Sequence, residues 1–277
     1  MTNKIQVAVV TGARRGIGRA IVHVFARSGW RVVAIDVIED DESRAVVEDA
    51  KAAGSDCRFI LADIADTQTS ASVCAAAYAA FGQVDCLVNN AGVMARDRTA
   101  NVLETSVESF DRVMSVNLRG TYFFTQAFAR EMVLRRRSNS AAYQSIVTVS
   151  SVNALHARTR AAEYSLSKAA IAMFTKILAL QLASDDIACF DIQPGLIKTD
   201  LNASVHASYG PLVREGGVSP MARWGLSEDV ATAVLTVASG GLRFATGQTL
   251  HIDGGAHIPR GAFENPMLRQ HLASMSG

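Results

Sequence analysis

Short, nearly continuous apolar runs recur along the chain, each followed by a stretch with helical spacing. Residues 5–10 form the first run. Unbroken apolar runs of this length suit strands buried on both faces, as in a parallel sheet. The run ends at Thr11-Gly12-Ala13-Arg14-Arg15-Gly16-Ile17-Gly18. Ala20, Ile21, Val24 and Phe25 then share a helical face, and Gly29 closes the helix. Residues 31–35 are a second strand, ending at Asp36. The alternation continues with a helix over 43–53, a strand over 57–61 followed by Asp63, and a helix over 67–80. A strand over 84–88 then leads into Asn89-Asn90-Ala91-Gly92. Strand and helix repeated in this order predict an α/β domain, a parallel sheet with helices on both faces.

Residues 103–137 read as mostly helical, with Asn117 near the middle. Gly120 either admits a close neighbour or costs stability there. A strand over 144–149 ends in Ser150-Ser151. A polar loop with Asn153, His156, Arg158 and Arg160 leads to a helix that begins near Tyr164. The strand over 187–192 is closed by Gln193-Pro194-Gly195. Residues 200–226 have weak periodicity and several Gly and Pro, which predicts an irregular or mobile segment. Ser227-Glu228-Asp229 has the look of a helix start. A last strand over 249–252 ends in Asp253-Gly254-Gly255. The expected organisation is one domain over 1–258, with a substrate loop at about 200–226, and a C-terminal tail over 259–277.

Composition narrows the function classes. The hydrophobic fraction of 49% supports a large core, and a net charge of +1 gives no sign of nucleic acid or an anionic membrane as partner. The basic cluster Arg135-Arg136-Arg137 reads as a helix end and solvated loop. Cys57, Cys74, Cys86 and Cys189 have neither metal-ligand nor redox-motif spacing and read as apolar fillers in a reducing compartment. No metal is expected. The N-terminus lacks a signal-peptide pattern, and the apolar stretch 169–183, interrupted by Lys176, is too short to span a bilayer. A cytoplasmic location is the expectation.

The glycines at the first strand-to-helix turn let backbone approach a pyrophosphate at a helix N-terminus. Asp36, at the end of the second strand, can accept hydrogen bonds from an adenosine ribose and would repel a 2′-phosphate, which favours NAD over NADP. Arg14 and Arg15 point the other way, because a guanidinium can hold that phosphate. Tyr164 and Lys168, four residues apart, fall on one helix face. An ammonium near a phenol stabilises the phenolate and lowers its pKa, giving a proton donor or acceptor near neutral pH.

Taken together and in order, several segments resemble the short-chain dehydrogenase/reductase family over about residues 5–258. They are Thr11-Gly12-x-x-x-Gly16-Ile17-Gly18, Asp63, Asn89-Asn90-Ala91-Gly92, Asn117, Ser151, Tyr164-x-x-x-Lys168, Pro194-Gly195 with Thr199, and Asp253-Gly254-Gly255. The resemblance implies a Rossmann-type doubly wound sheet in the order 3-2-1-4-5-6-7. It also implies a tetrad. Tyr164 exchanges a proton with the substrate oxygen, Lys168 lowers its pKa and holds the nicotinamide ribose, Ser151 bonds the substrate oxygen, and Asn117 supports a water. Gly12, Gly16 and Gly18, with Arg14, Arg15 and Ile17, would line the pyrophosphate. Asp36 would meet the ribose, Asp63 and Ile64 the adenine, and Asn90, Ala91 and Gly92 the adenosine side. Pro194, Gly195, Ile197 and Thr199 would lie by the nicotinamide. Family members form homotetramers or homodimers through the Asn117 and Tyr164 helices.

The activity so implied is hydride transfer between NAD(P) and a secondary alcohol or ketone. The whole chain is similar to 3-oxoacyl-carrier-protein reductase-like members, yet Asp36 speaks for NAD. That favours oxidation of a polyol, sugar or hydroxyacyl compound, with an NADPH-dependent 3-oxoacyl thioester reductase as the alternative. Met94, Arg96, Asn153, His156, Glu163 and Leu196 are the candidate substrate residues. His156 is equally an exposed loop histidine, and Arg96 and Arg158 equally surface charges. Residues 200–220 are expected to close over substrate. A non-catalytic NAD sensor on the same fold, and a scaffold whose tail binds a partner, are the readings from other classes.

Overall fold

The parallel strands are β1 (Val7–Thr11), β2 (Arg31–Asp36), β3 (Cys57–Leu61), β4 (Cys86–Asn89), β5 (Gln144–Val149), β6 (Ile187–Pro194) and β7 (Gln248–Ile252). They form one seven-stranded sheet in the order β3-β2-β1-β4-β5-β6-β7. The computed structural model describes residues 5–98, 101–138, 143–199, 206–261 and 274. Every residue of β1, β4, β5 and β6 is buried, as the unbroken apolar runs predict for central parallel strands. The edge strands β3 and β7 are partly wet.

The helices are α1 (Gly16–Arg27), α2 (Asp41–Ala52), α3 (Ser70–Phe81), α4 (Val107–Met114), α5 (Thr121–Ser138), α6 (Ala162–Leu182), α7 (His206–Arg214) and α8 (Ser227–Ala238). Strand residues alternate between two cores. Ala8, Val10, Val147, Val149, Phe190 and Ile192 pack with α1, α2 and α8. Val9, Leu87, Ile146, Ile187 and Cys189 pack with α3, α5 and α6. The sheet is therefore sandwiched between two helical layers, with all strand carboxyl ends on one edge.

Several expectations are corrected. The segment 103–137 is mostly helical as expected, but its helix starts only at Val107, and a π-helical stretch, Ser115–Gly120, separates α4 from α5. A Cβ on Gly120 would lie 2.7 Å from the Ile64 carbonyl oxygen, so this glycine serves close approach. The segment 200–226 contains α7, which forms despite Gly210 and Pro211; residues 200–205 lie outside the described residues. The helix expected from residue 67 starts at Ser70. At the start of α8 the cap is Leu226, whose N–H donates to the Asp229 carboxylate at 2.8 Å.

With its following turn, α6 is long and apolar enough to cross a membrane, contrary to the shorter run read from sequence. Half of that stretch is buried in the protein, where Phe174, Leu178, Ala179 and Leu182 pack on the sheet. The basic cluster is also less free than expected. Arg135 pairs with Glu131 at 2.5 Å and lies over the Tyr78 ring, and Arg136 pairs with Asp186. All four cysteines are free thiols and buried. Of the expected tail, residues 262–273 and 275–277 lie outside the described residues.

Candidate active site

The turn between β1 and α1 is held by a reciprocal clamp. The Thr11 hydroxyl accepts from the backbone N–H groups of Asn90 and Ala91, both at 3.1 Å. The Asn90 side-chain amide donates to the carbonyls of Thr11 at 2.9 Å and Gly12 at 3.1 Å. Asn90 thus shapes the turn with its side chain. Gly12 and Gly16 have positive φ, +65° and +56°, which favours glycine. A Cβ on Gly18 would fall 2.0 Å from the Gly12 carbonyl oxygen, so no side chain fits there. Outward from Gly16 the space is open, and the nearest atoms are the Thr199 side chain at 3.8 Å and 3.9 Å. The N-terminus of α1 has no side-chain cap and no acidic residue in its first turn. These features fit a dinucleotide pyrophosphate laid across the turn, met by free N–H groups and the dipole end.

Asp36 ends β2, where its carboxylate accepts from the backbone N–H of Arg14 at 3.2 Å and of Ile38 at 3.3 Å. The Arg14 side chain does not face outward. Its Nη1 donates to Asp40 and Glu42, both at 2.7 Å, and only 10% of the side chain is exposed. Arg15 is exposed. Asp63 stands exposed past β3 and accepts from the Ala65 N–H at 2.9 Å. The Ile64 side chain, next to Asp63, is buried in the core.

Asn117 sits fully buried in the π-helical stretch. Its Oδ1 accepts from the Val93 N–H at 2.7 Å, and its Nδ2 donates to the Val93 carbonyl at 2.9 Å and the Ser167 hydroxyl at 3.1 Å. A Cβ on Gly92 would lie 3.3 Å from Asn117 Oδ1 and 3.5 Å from Lys168 Nζ, so these three residues meet. Lys168 Nζ donates to the Val149 carbonyl at 3.0 Å and lies 5.7 Å from the Tyr164 ring centroid. Burial pushes Lys168 down to about 8, and Asp191 pulls it back up.

Tyr164 departs from the expected direction. Burial, the largest influence, pushes its phenol up; the hydrogen bond with Ser151 and the charges of Arg158 and Arg98 act against this. Lys168 Nζ is turned to the Val149 carbonyl. Ser151 caps the short 3-10 turn Val152–Ala154 and accepts from the Asn153 N–H at 3.1 Å, which aims its hydroxyl toward Tyr164.

Apart from Glu163, in the first turn of α6, the candidate substrate residues follow the carboxyl ends of β4, β5 and β6. Met94 is half-buried, with its carbonyl accepting from Arg112 at 2.9 Å, while Arg96 is exposed. Asn153, His156 and Leu196 are half-buried. Glu163 points inward instead: it is buried and accepts from the Ser109 hydroxyl at 2.7 Å. At the other end of this edge, a Cβ on Gly195 would lie 2.7 Å from Asp253, so glycine lets the ends of β6 and β7 approach. The Asp253 carboxylate accepts from the N–H groups of Gly255 and His257, both at 2.8 Å, and faces His257 Nδ1 at 2.9 Å. It anchors that turn. Sequence reading missed Asp191, an acid inside an apolar strand run that the structure buries near Lys168.

A family model described as enoyl-(acyl carrier protein) reductase matches residues 12–257. The chain is 35% identical over 254 residues to L-rhamnose 1-dehydrogenase (NAD(P)(+)) of Azotobacter vinelandii, covering 90% of this chain and 96% of that one. It is 33% identical over 253 residues to the 3-oxoacyl-[acyl-carrier-protein] reductase FabG of Staphylococcus aureus, covering 91% and 98%. Its fold matches the crystal structure of a 3-oxoacyl-[acyl-carrier protein] reductase from Brucella melitensis in complex with NAD, with a TM-score of 0.88 and 39% identity over 94% of this chain and all of that one.

Proposed function

The chain belongs to the short-chain dehydrogenase/reductase family, and from that premise we propose that it is an NAD-preferring oxidoreductase acting on a polyol, sugar or hydroxyacyl compound, with Ser151, Tyr164, Lys168 and Asn117 as its tetrad. Relatives include a sugar dehydrogenase and 3-oxoacyl reductases, so hydride transfer between a nicotinamide and a secondary alcohol or ketone is the shared chemistry. The bound nicotinamide supplies the hydride acceptor or donor. Tyr164 moves the proton at the substrate oxygen. Ser151 donates a hydrogen bond to that same oxygen, where charge develops. Lys168 supplies a positive charge beside the phenol and a donor to a ribose. Asn117 fixes the loop at Val93 and the helix at Ser167, which keeps the Lys168 surroundings in register.

One observation carries the preference for NAD. The Arg14 guanidinium pairs with Asp40 and Glu42, which leaves the Asp36 carboxylate at the end of β2 with no compensating Arg14 side-chain charge. A 2′-phosphate there would meet several carboxylates. The test is thermal stability with NAD and NADP titrated separately, since a ligand of the folded state alone raises the midpoint. A clear rise with NAD at concentrations where NADP does nothing is expected. A larger rise with NADP would place Arg15 in control and favour the 3-oxoacyl thioester reductase reading.

A homotetramer or homodimer is supported by an apolar outer face. Leu166, Met173, Ile177 and Leu180 on α6, with Tyr122 and Phe123 on α5, are exposed, Leu180 to 85%. Contiguous apolar surface of this kind marks association sites. A cytoplasmic location agrees with four unpaired thiols. For a non-catalytic NAD sensor, the meeting of Lys168 and Asn117 at Gly92, and of Ser151 with Tyr164, would be without use.

A further inference from the structure

Three side chains at the end of the last strand carry chemistry that hydride transfer does not use. His251 lies in β7, Asp253 stands just past its end, and His257 belongs to the turn that follows. Gly254 and Gly255, with φ of +63° and +85°, reverse the chain there. His257 comes back over His251, with ring centroids 4.0 Å apart. Each of the three side chains offers one metal-ligand atom, and the three atoms all lie within 4.8 Å of one another.

The Asp253 side chain is 1% exposed. Its Oδ1 accepts from the Gly255 N–H and its Oδ2 from the His257 N–H, both at 2.8 Å, so the backbone of the turn fixes the carboxylate. Each oxygen keeps a further lone pair, and His257 Nδ1 faces the two oxygens at 3.1 Å and 2.9 Å. On the other side of the cluster, His251 Nδ1 is buried with no hydrogen-bond partner. The sheet register sets Gln193 of β6 beside His251, and Gln193 Oε1 is likewise buried without a partner. Buried polar atoms left unpaired cost free energy. A metal ion with its water would satisfy an imidazole nitrogen and an amide oxygen at once.

We propose that His251, Asp253 and His257 form a binding site for a divalent transition-metal ion, Zn²⁺ by the character of the donors, with water in the fourth position. Two imidazoles and one carboxylate suit zinc, whereas calcium and magnesium take oxygen ligands. Donors about 2.0–2.2 Å from a tetrahedral zinc stand about 3.4 Å apart, so the cluster must draw together by roughly 1 Å. The stacked rings, 19° from parallel, do not aim two lone pairs at one point. Closing on the metal is therefore a turn of the His257 ring, whose side chain is 32% exposed and free to move, while Asp253 stays on its backbone anchors. The ion pins the turn after β7, against which Gly195 packs. Sequence gave no sign of it because His-x-Asp-x-x-x-His has none of the spacings by which metal motifs are recognised. The site does not depend on the tetrad or on the choice of nicotinamide.

The test titrates the chelator-treated protein with Zn²⁺ by calorimetry and, separately, with Co²⁺ read by visible absorption. One Zn²⁺ per chain is expected, together with the intense visible bands of a low-coordinate Co²⁺ site. Affinity should fall by about 100-fold or more in His251→Phe and in His257→Phe, which keep an aromatic ring in the stack and remove the donor. His23→Ala, on α1, should change nothing. The wild-type Co²⁺ form is also read by proton NMR, where paramagnetically shifted imidazole signals should come from two histidines; this holds even if a variant folds poorly. Binding without one-to-one stoichiometry, affinity retained in either Phe variant, or shifted signals from any other number of histidines overturns the proposal. None of these readouts uses turnover, so failure here leaves the oxidoreductase assignment standing.

Discussion

A tyrosine and a lysine on one helix turn do not by themselves make an acid-base pair. In this chain burial pushes the Tyr164 phenol up and the Lys168 ammonium down, so each is moved toward its neutral form. The site works as the proposed function requires only when the Lys168 charge reaches the phenol. Replacing Tyr164 by Phe removes the proton carrier and leaves the glycine turn and Asp36 untouched. Turnover should drop by about 10³-fold or more, with the midpoint rise on adding NAD preserved. Wild-type rates in Tyr164→Phe would sink the assignment. Tyr164 and Lys168 could be read in sequence as a pair on one helix face, and the resemblance to the family gave that pair its weight and singled out Ser151. Asp191 was not legible, because one acid inside an apolar strand has no pattern of its own.

At the scale of elements, strands were easy to read and interruptions were not. Central strands announce themselves as unbroken apolar runs, and β3 and β5 match their sequence ranges. The π-helical stretch at Ser115–Gly120 keeps an ordinary helical look in sequence, yet it interrupts the α-helix at the turn that carries Asn117. The helix α7 hid behind Gly210 and Pro211. The turn from β1 to α1 shows what the glycine motif cannot say by itself: it is clamped from β4 by Asn90 and answered across the cleft by Thr199. Its tightest point is Gly18. In Gly18→Ala the new methyl meets the Gly12 carbonyl, and backbone, unlike a flexible side chain, must move to admit it. NAD affinity should fall by at least about tenfold, roughly the 1.4 kcal/mol that a shifted turn costs in lost N–H contacts. Unchanged affinity by titration would show that the turn does not hold the cofactor.

Across the whole molecule, the two helical layers are unequal. The layer of α1, α2 and α8 presents charged pairs such as Arg19 with Asp49. The α5 and α6 layer presents Tyr122, Phe123, Met173, Ile177 and Leu180. If that face is the subunit contact, Leu180→Glu places a charge in an apolar interface and should shift the protein to smaller species in sedimentation, with the fold intact. A wild type that sediments as a monomer would remove the basis for the association.

The four thiols have a consequence of their own. They are spread over β3, α3, β4 and β6, all lie under the surface, and burial pushes each up to about 12. An alkylating reagent needs thiolate and access, and the native fold denies both at every one of these positions. The rate of alkylation at each cysteine is then a clock for opening at that point. The chain carries four reporters of its own local unfolding, two on the buried strands β4 and β6, one on the edge strand β3 and one on α3, and no label need be added to hear them.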